Sequence, residues 1–358
     1  MSTTTTTTTI NHAAYVLSSN NEPLAIREAP TPNPSPSEIL VNVKAVAINP
    51  VDAVRASQGL MIKEFPWIIG SDGSGIVVSV GGDVKDFAVG DRVTFLSDEW
   101  VTNKSANASF QQFCTISTRQ VAKIPDTVNF ADACVLPLGL TTAAGMLFEK
   151  QTLAIDFPSL PGMQSSSLNK SKVLIIWGGS SSVGASAIQL ASAAGYTVVG
   201  IASKRNFELM RTCGVSECLD YNDEGIVDHV CEFVSSNKLE LAGVAAVMAF
   251  QPDVIKNCGI IASRLPGNKF VSTALARHAM PEPKDLMPEG VQCSNCYAIE
   301  EEPVNEYIWG KWFGPAMAAG LLKCLPEKDV VGQGLDRLQE ACERMGTGTS
   351  GRKLVVEL

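Results

Sequence analysis

The chain has 358 residues, with 28 Lys and Arg against 37 Asp and Glu and a formal net charge of −9. At ~100 to 200 residues per domain, this length predicts two domains. Its 45 % of hydrophobic residues is enough for two cores. An acidic chain is poorly suited to broad binding of nucleic acid or acidic membranes. We therefore expect a globular protein with neither as a partner.

The N-terminal residues favour a cytoplasmic location. Residues 1–9 form a Ser/Thr tract without a basic region or an apolar segment, which predicts a disordered leader. No run approaches the ~20 uninterrupted apolar residues of a membrane helix. The ten cysteines lack the dense spacing of secreted scaffolds, which indicates reduced thiols.

Two kinds of pattern follow along the chain. Up to about residue 123, short β-rich segments are broken by Pro and Gly, with strands predicted at 39–48, 75–81 and 91–96. A helix at 138–150 and a Pro- and Ser-rich loop at 156–172 come next. Strands then alternate with helical stretches, and a last strand is predicted at 353–358. The strands that alternate with helical stretches are predicted at 173–177, 197–202, 217–221, 243–250, 269–274 and 291–298. The fold class is therefore α/β, a doubly wound parallel sheet beside a mostly β domain.

The motif W-G-G-S-S-S-V-G at 177–184 follows an apolar strand and opens a helix. This is the context of a dinucleotide-binding turn, in which glycines let backbone N–H groups and the helix end approach a pyrophosphate. Ser181 stands where the usual pattern has its middle glycine. We predict that the turn binds a cofactor through Gly178, Gly179, Ser180, Ser181, Ser182, Val183 and Gly184.

The end of the next predicted strand indicates which dinucleotide binds. An NAD enzyme usually carries Asp or Glu there, whereas this chain has Ser203-Lys204-Arg205-Asn206. A hydroxyl and two cations favour the 2′-phosphate of NADPH. A solvated charge pair that opens the next helix is the structural alternative. The cofactor contacts predicted at this end are Ser203, Lys204, Asn206 and Tyr221.

Several motifs together resemble the medium-chain dehydrogenase/reductases. They are G-S-D-G-S-G-I-V-V-S-V-G-G-D-V-K-D-F-A-V-G-D-R-V at 70–93, N-P-V-D at 49–52, P-L-G-L-T-T-A-A at 137–144 and the closing S-G-R-K-L-V-V-E-L. They are similar to the quinone reductase and enoyl reductase branch, especially fungal stand-alone enoyl reductases that act with polyketide synthases. The resemblance implies a GroES-like catalytic domain at 10–137 and 303–358, and a Rossmann cofactor domain at 138–302.

Metal ligands are missing where this superfamily binds zinc. Its zinc members place Cys and His near the positions of Asn49 and Ser71, and four cysteines after the G-D-R-V block, and this chain has neither set. Cys293-x-x-Cys296 is a lone pair, and the three histidines are scattered. We predict no metal. Without a Lewis acid, the favoured reaction is NADPH-dependent reduction of an activated C=C bond in an enoyl thioester or enone.

The resemblance also implies where the chemistry occurs. It puts the loop after the first-domain strand beside the nicotinamide, so we predict that Asn49, Asp52, Arg55 and Thr141 are catalytic. Asn49, Arg55 and Thr141 would orient the substrate and bind its enolate oxygen, and Thr142 would contact the cofactor. Asp52 as a helix cap and the threonines as packing residues are the open alternatives.

The proton source and the substrate stay open at this point. Gly59 is followed by Leu60-Met61, where the mitochondrial type of enoyl reductase has a tyrosine proton donor, which leaves water as the candidate. A quinone oxidoreductase or carbonyl reductase would share these motifs. An NADPH-binding accessory protein without redox turnover is the alternative of another class. A polyketide synthase is the partner that the resemblance implies.

Overall fold

A computed structural model describes residues 10–163, 167–248, 250–275, 283–296, 298–299 and 301–358. The predicted leader at 1–9 lies outside these residues. The strands are β1 (Asn11–Val16), β2 (Ala25–Ala29), β3 (Glu38–Ala47), β4 (Trp67–Ile68), β5 (Asp72–Val80), β6 (Arg92–Leu96), β7 (Phe113–Ser117), β8 (Val121–Lys123), β9 (Lys172–Trp177), β10 (Thr197–Ala202), β11 (Glu217–Asp220), β12 (Glu240–Ala246), β13 (Phe270–Thr273), β14 (Gln292–Asn295), β15 (Lys328–Gln333) and β16 (Lys353–Glu357).

The α-helices account for most of the remaining regular structure. They are α1 (Pro50–Gln58), α2 (Glu99–Thr102), α3 (Phe130–Ala133), α4 (Pro137–Phe148), α5 (Ser182–Ala193), α6 (Phe207–Cys213), α7 (Ile226–Ser236), α8 (Pro252–Arg264), α9 (Glu302–Asn305), α10 (Phe313–Ala318) and α11 (Leu338–Thr347). A π-helical segment, Glu306–Trp312, lies between α9 and α10.

The chain divides into two compact units. The first runs to Cys134 and includes Lys328–Thr349 and Leu354–Leu358, and the second comprises Val135–Glu327 and Ser350–Lys353. The predicted end of the cofactor domain at 302 therefore falls inside the second unit. Residues 303–327 belong to this unit because aromatic side chains among them form hydrogen bonds within it. The Tyr307 hydroxyl, for example, donates to the Pro158 carbonyl at 2.8 Å.

The first unit is rich in antiparallel strands, as predicted. Its larger sheet has the order β15-β16-β3-β5-β6-β8, with β7 paired on β3, and a smaller sheet has the order β2-β1-β4. β3 lies inside this sheet, where it pairs antiparallel with β5, β7 and β16, and nearly all of its residues are buried. The loop that follows β3 leads directly into α1. That helix begins at Pro50 and ends at Gln58, and the following Gly59 caps it with a left-handed φ of 64°.

The second unit is the predicted doubly wound α/β domain. Its six strands are all parallel, in the order β11-β10-β9-β12-β13-β14. Apolar runs such as VLIIW form these strands because both faces of a parallel sheet are covered. The predicted strand at 291–298 is shorter in the structure, since β14 ends at Asn295. The carboxyl ends of the strands share one edge, where open α/β sheets bind ligands.

Within the part of the chain that the structure describes, one apolar stretch meets the length and composition of a membrane span. It is Phe130–Phe148, 19 residues long, so the sequence did contain a run near the expected limit. The stretch is mostly buried within the protein, as the core helix of a globular fold would be, and it is therefore weak evidence for a membrane span.

Candidate functional site

The glycine turn joins β9 to α5. Gly178 has a φ of 91°, and Gly179, Ser180 and Ser181 complete the turn. The Ser181 hydroxyl donates to the Gly178 carbonyl at 2.8 Å and accepts from the Gly184 N–H at 3.1 Å. Ser181 is thus the N-cap of α5, which explains a serine in place of the middle glycine. Ser182, Val183 and Gly184 form the first turn of the helix.

Close backbone approach makes this turn unsuited to larger residues. A Cβ on Gly184 would lie 2.2 Å from the Gly178 carbonyl oxygen and 2.7 Å from the Gly179 Cα. A Cβ on Gly178 would lie 2.6 Å from Cγ of Met248. The glycines therefore let the turn pack closely on itself at the N-terminus of a 12-residue helix, whose first N–H groups can approach a phosphate. This cradle fits a dinucleotide pyrophosphate.

Three serines converge on one amide beside the turn. The Asn206 Nδ2 lies 3.1 Å from the Ser180 hydroxyl, 3.2 Å from that of Ser203 and 3.1 Å from that of Ser350. A serine oxygen that accepts from the amide can still direct its own hydrogen to another acceptor. We call Ser180, Ser203, Asn206 and Ser350 the serine cluster. It fits a phosphate, and exposed Lys204 follows Ser203 directly.

Sequence reasoning missed Ser350. The closing S-G-R-K-L-V-V-E-L motif contributes to the family resemblance and contains the predicted strand at 353–358, but neither assigns a role to Ser350. In the structure this motif begins in the second unit, and Gly351 packs so closely that a Cβ there would lie 2.7 Å from the Asn206 Oδ1. A conspicuous Ser-Gly pair just before a predicted strand was the available signal.

An acidic residue stands closer to this cluster than the sequence suggested. Asp220 is paired with Ala202 in the β10–β11 register, and its carboxylate accepts from the Lys204 N–H at 3.1 Å. Hydrogen bonding from the Asn222 N–H is the main cause that lowers the pKa of Asp220, and the Lys204 charge also contributes. The neighbouring Tyr221 is 46 % exposed. The charges beside the serine cluster are therefore of both signs, with the cation of Lys204 next to the carboxylate of Asp220.

The two predicted threonines lie in α4 and are buried. The Thr141 hydroxyl donates to the Pro137 carbonyl at 2.8 Å and accepts from the Trp309 indole N–H at 3.2 Å. Gly139, in the same helix, lies against α5, since a Cβ there would be 2.9 Å from the backbone of Ser182. Thr141 and the glycine turn are therefore placed by elements of one unit.

Asn49 and Asp52 form a polar network in the first unit. The Asn49 amide donates to the Asp52 Oδ2 at 3.1 Å and to the Asp72 Oδ2 at 2.9 Å, so both its hydrogens have acceptors. The Asn49 backbone N–H donates to the Asp52 Oδ2 at 2.9 Å, and the Ser71 hydroxyl donates to the Asp52 Oδ1 at 2.8 Å. Asp52 therefore caps α1, as the structural alternative held.

Burial dominates the electrostatics of this network. Asp52 has no exposed surface, and burial, aided by the nearby Asp72 carboxylate, raises its pKa to about 6. Hydrogen bonds from Ser71 and Asn49 act in the opposite direction. Asn49 is 2 % exposed and both amide hydrogens are used, which favours positioning of the loop over donation to an enolate oxygen.

Arg55 forms a buried ion pair that the sequence did not suggest. Its guanidinium donates to both Glu99 oxygens, at 2.6 and 2.8 Å, and its Nε donates to the Leu60 carbonyl at 3.3 Å. The Trp67 indole N–H also donates to Glu99. These bonds use three of the five guanidinium N–H groups, so two could still serve a substrate oxygen. Along the sequence, Glu99 lies 44 residues from Arg55 and 32 residues from Trp67.

Comparisons with known proteins agree with this architecture. Residues 35–126 match the alcohol dehydrogenase GroES-like domain. The chain is 33 % identical to the dehydrogenase orsE of Emericella nidulans, over 97 % of this chain and 99 % of that protein. It belongs to the medium-chain dehydrogenase/reductase superfamily. The trans-enoyl reductase himH of Aspergillus japonicus is also 33 % identical, over 98 % of both chains.

Solved structures of medium-chain dehydrogenase/reductases share the fold. An alcohol dehydrogenase superfamily protein from Novosphingobium aromaticivorans superposes with a TM-score of 0.73 at 22 % identity, over 98 % of this chain and 100 % of that one. In the present chain, Asp52 joins the side chains of Asn49 and Ser71, because its carboxylate accepts from the Asn49 amide and from the Ser71 hydroxyl. Among the described residues, no group of three or more His, Cys, Asp or Glu could hold a metal ion.

Proposed function

We propose that this protein is a zinc-independent, NADPH-dependent reductase of an activated C=C bond, in an enoyl thioester or enone, acting in trans with a polyketide synthase in the cytoplasm. The similarity to the trans-enoyl reductase himH over nearly the whole of both chains carries the reaction type. The serine cluster and Lys204 support NADPH, and the amide and hydroxyl at Asn49 and Ser71 support a zinc-free centre.

The residues of the second unit bind and orient the cofactor. The glycine turn and the α5 N-terminus would hold the pyrophosphate, and Ser203, Lys204, Asn206 and Ser350 would hold or order the 2′-phosphate. Thr141 and Thr142 would face the nicotinamide end. When bound, NADPH supplies the hydride for the β-carbon of the acceptor.

The residues of the first unit prepare the loop on which the substrate would lie. Asn49 and Asp52 fix the start of α1, and Glu99 fixes Arg55. The two remaining N–H groups of Arg55 are the candidate donors to the enolate oxygen, where developing negative charge is stabilised by preorganised donors. Arg55 is too basic to release a proton easily, so water protonates the α-carbon.

A substrate panel with the purified protein and NADPH tests this proposal. We expect consumption of NADPH with an enoyl thioester, little with a simple quinone or an aldehyde, no stoichiometric zinc by elemental analysis and full activity after chelation. Turnover of the quinone or the aldehyde instead would assign one of those activities. Tight binding of NADPH without consumption on any acceptor would support an accessory role.

A further inference from the structure

Trp309 occupies an unusual segment of the second unit. It lies in the π-helical segment Glu306–Trp312, and such segments are rare and frequently mark functional sites. Tyr307 donates to the Pro158 carbonyl at 2.8 Å, and the Trp312 indole N–H donates to the Ser159 carbonyl at 3.0 Å. These two contacts anchor the segment to a backbone loop. Trp309 differs because its indole N–H donates to a side chain, the hydroxyl of Thr141.

This contact restricts what the Thr141 hydroxyl can do. A threonine hydroxyl has one hydrogen and two lone pairs. The hydrogen goes to the Pro137 carbonyl at 2.8 Å, and one lone pair receives the Trp309 N–H at 3.2 Å. One lone pair is left, so Thr141 can accept one further hydrogen bond while its own hydrogen is held within α4.

The fold places this hydroxyl toward the nicotinamide end of the site. Gly145 lies one turn after Thr141, on the same face of α4. A Cβ on Gly145 would lie 2.6 Å from both the Ala298 carbonyl oxygen and the Cys296 Sγ, just beyond the carboxyl end of β14. The glycine turn follows β9, and Ser203 and Asn206 of the serine cluster follow β10. A dinucleotide running from β10 across β9 must therefore extend toward β12, β13 and β14.

We propose that Trp309 is a positioning residue that holds Thr141 as a hydrogen-bond acceptor for the carboxamide N–H of the nicotinamide. This inference rests on the proposed function, because it assumes that NADPH occupies the second unit. A hydroxyl held in this way selects a ring substituent that donates and disfavours one that can only accept. Trp309 thereby contributes to cofactor recognition without contacting the cofactor.

The affinities of two cofactors, measured by fluorescence titration, test the inference. The probes are NADPH and reduced 3-acetylpyridine adenine dinucleotide phosphate, in which an acetyl group replaces the carboxamide and removes its N–H donors. We expect the native protein to prefer NADPH by about tenfold, Thr141→Val to lose this preference, and Trp309→Phe to reduce it about threefold or more.

Trp312→Phe is the matched control, because it removes an indole N–H from the same π-helical segment without touching Thr141. It should keep the native preference. Equal preferences in the Trp309 and Trp312 variants, or a preference retained in Thr141→Val, would overturn the inference. Failure of NADPH to bind the native protein would instead overturn the proposed function, and the inference with it.

If Trp309→Phe does not fold, NMR of the native protein with ¹⁵N-labelled tryptophan decides between the same alternatives. The five tryptophans give five indole N–H resonances. We expect that of Trp309 to respond more strongly to NADPH than to the acetyl analogue. Identical responses to both cofactors would overturn the inference.

Discussion

The serine cluster and the Asn49–Arg55 segment at the start of α1 differ in how available their hydrogen-bond donors are. Ser180 and Ser203 are half-buried and Ser350 is exposed, and each serine that accepts from Asn206 can direct its own hydrogen outward. Asn49 and Arg55 are each only 2 % exposed; the Asn49 amide donates to two carboxylates of its own unit, and Arg55 donates to the Glu99 carboxylate. The serine cluster, whose donors are open to a ligand, and the segment from Asn49 to Arg55, whose donors bind its own unit, thus carry similar polar residues.

The difference shows why residue types alone do not assign a role. Both regions combine cations, carboxylates and amides, but burial decides which of these groups must be paired internally. In the first unit, a lone Arg55 or Asp52 would be costly, so each has protein partners. At the edge of the parallel sheet, water or a ligand can satisfy the same groups. Substitutions in the two regions should therefore affect stability and cofactor binding differently.

The largest effect is expected at the buried ion pair. Arg55→Met leaves Glu99 buried without its cation, and we expect the free energy of unfolding to fall by about 3 to 5 kcal/mol in urea denaturation. The double variant Arg55→Met/Glu99→Leu should recover most of this loss, because a buried pair can be replaced by apolar side chains at little cost. Its turnover should nevertheless stay ~10² to 10³ lower if Arg55 binds the enolate oxygen. Recovery of both stability and turnover would give Arg55 a structural role only.

The next effect concerns Asp52 and pH. Because burial raises the pKa of Asp52 to about 6, the folded protein keeps a proton that the unfolded chain releases above about pH 4. The free energy of unfolding therefore falls as the pH rises from about 4 to about 6 and levels off above the folded pKa of Asp52. Relative to Asp52→Asn, the native protein should lose up to about 3 kcal/mol of unfolding free energy between pH 4 and 7. Asp126→Asn, at a side chain that is 98 % exposed, is the control. If the difference in unfolding free energy between the native protein and Asp52→Asn stayed constant from pH 4 to 7, a raised pKa of Asp52 would be ruled out.

A substitution at the glycine turn should act on binding. Gly184→Ala forces a Cβ to within 2.2 Å of the Gly178 carbonyl oxygen, so the turn must shift, and we expect NADPH affinity to fall by about 100-fold. Gly82→Ala is a suitable control, since no atom lies within 4 Å of its Cβ position. Fluorescence titration of both variants measures the effect. Unchanged affinity in Gly184→Ala would mean that the cofactor does not use this turn.

The smallest effect concerns the choice between cofactors. We expect the native protein to bind NADPH at least about tenfold more tightly than NADH, which one charge-assisted contact can supply. Lys204→Glu should reverse this preference because it adds a second carboxylate beside Asp220. Lys256→Glu makes the same charge change on a side chain that is 53 % exposed in α8, and it should leave the preference intact. Equal affinities of the native protein for both cofactors would contradict the predicted 2′-phosphate site.

The parts that could be predicted from the sequence are those determined by local pattern. The strand VLIIW, the glycine turn and α5 are contiguous, so periodicity and glycine spacing predict them together. The partners of Arg55, Thr141 and Asn206 are not contiguous: Glu99, Trp309 and Ser350 lie 44, 168 and 144 residues away. Only the fold brings these side chains together. The choice between a catalytic role and a helix cap for Asp52 likewise depended on burial and hydrogen bonding, which the fold determines.

Transfer of deuterium from NADPH labelled at C4 to a candidate enoyl thioester tests the central claim most directly. Mass spectrometry and NMR of the product locate the label. The proposed reduction predicts deuterium at the β-carbon, with the α-hydrogen drawn from water. Deuterium on a carbinol carbon, or no transfer to any activated alkene, would contradict it.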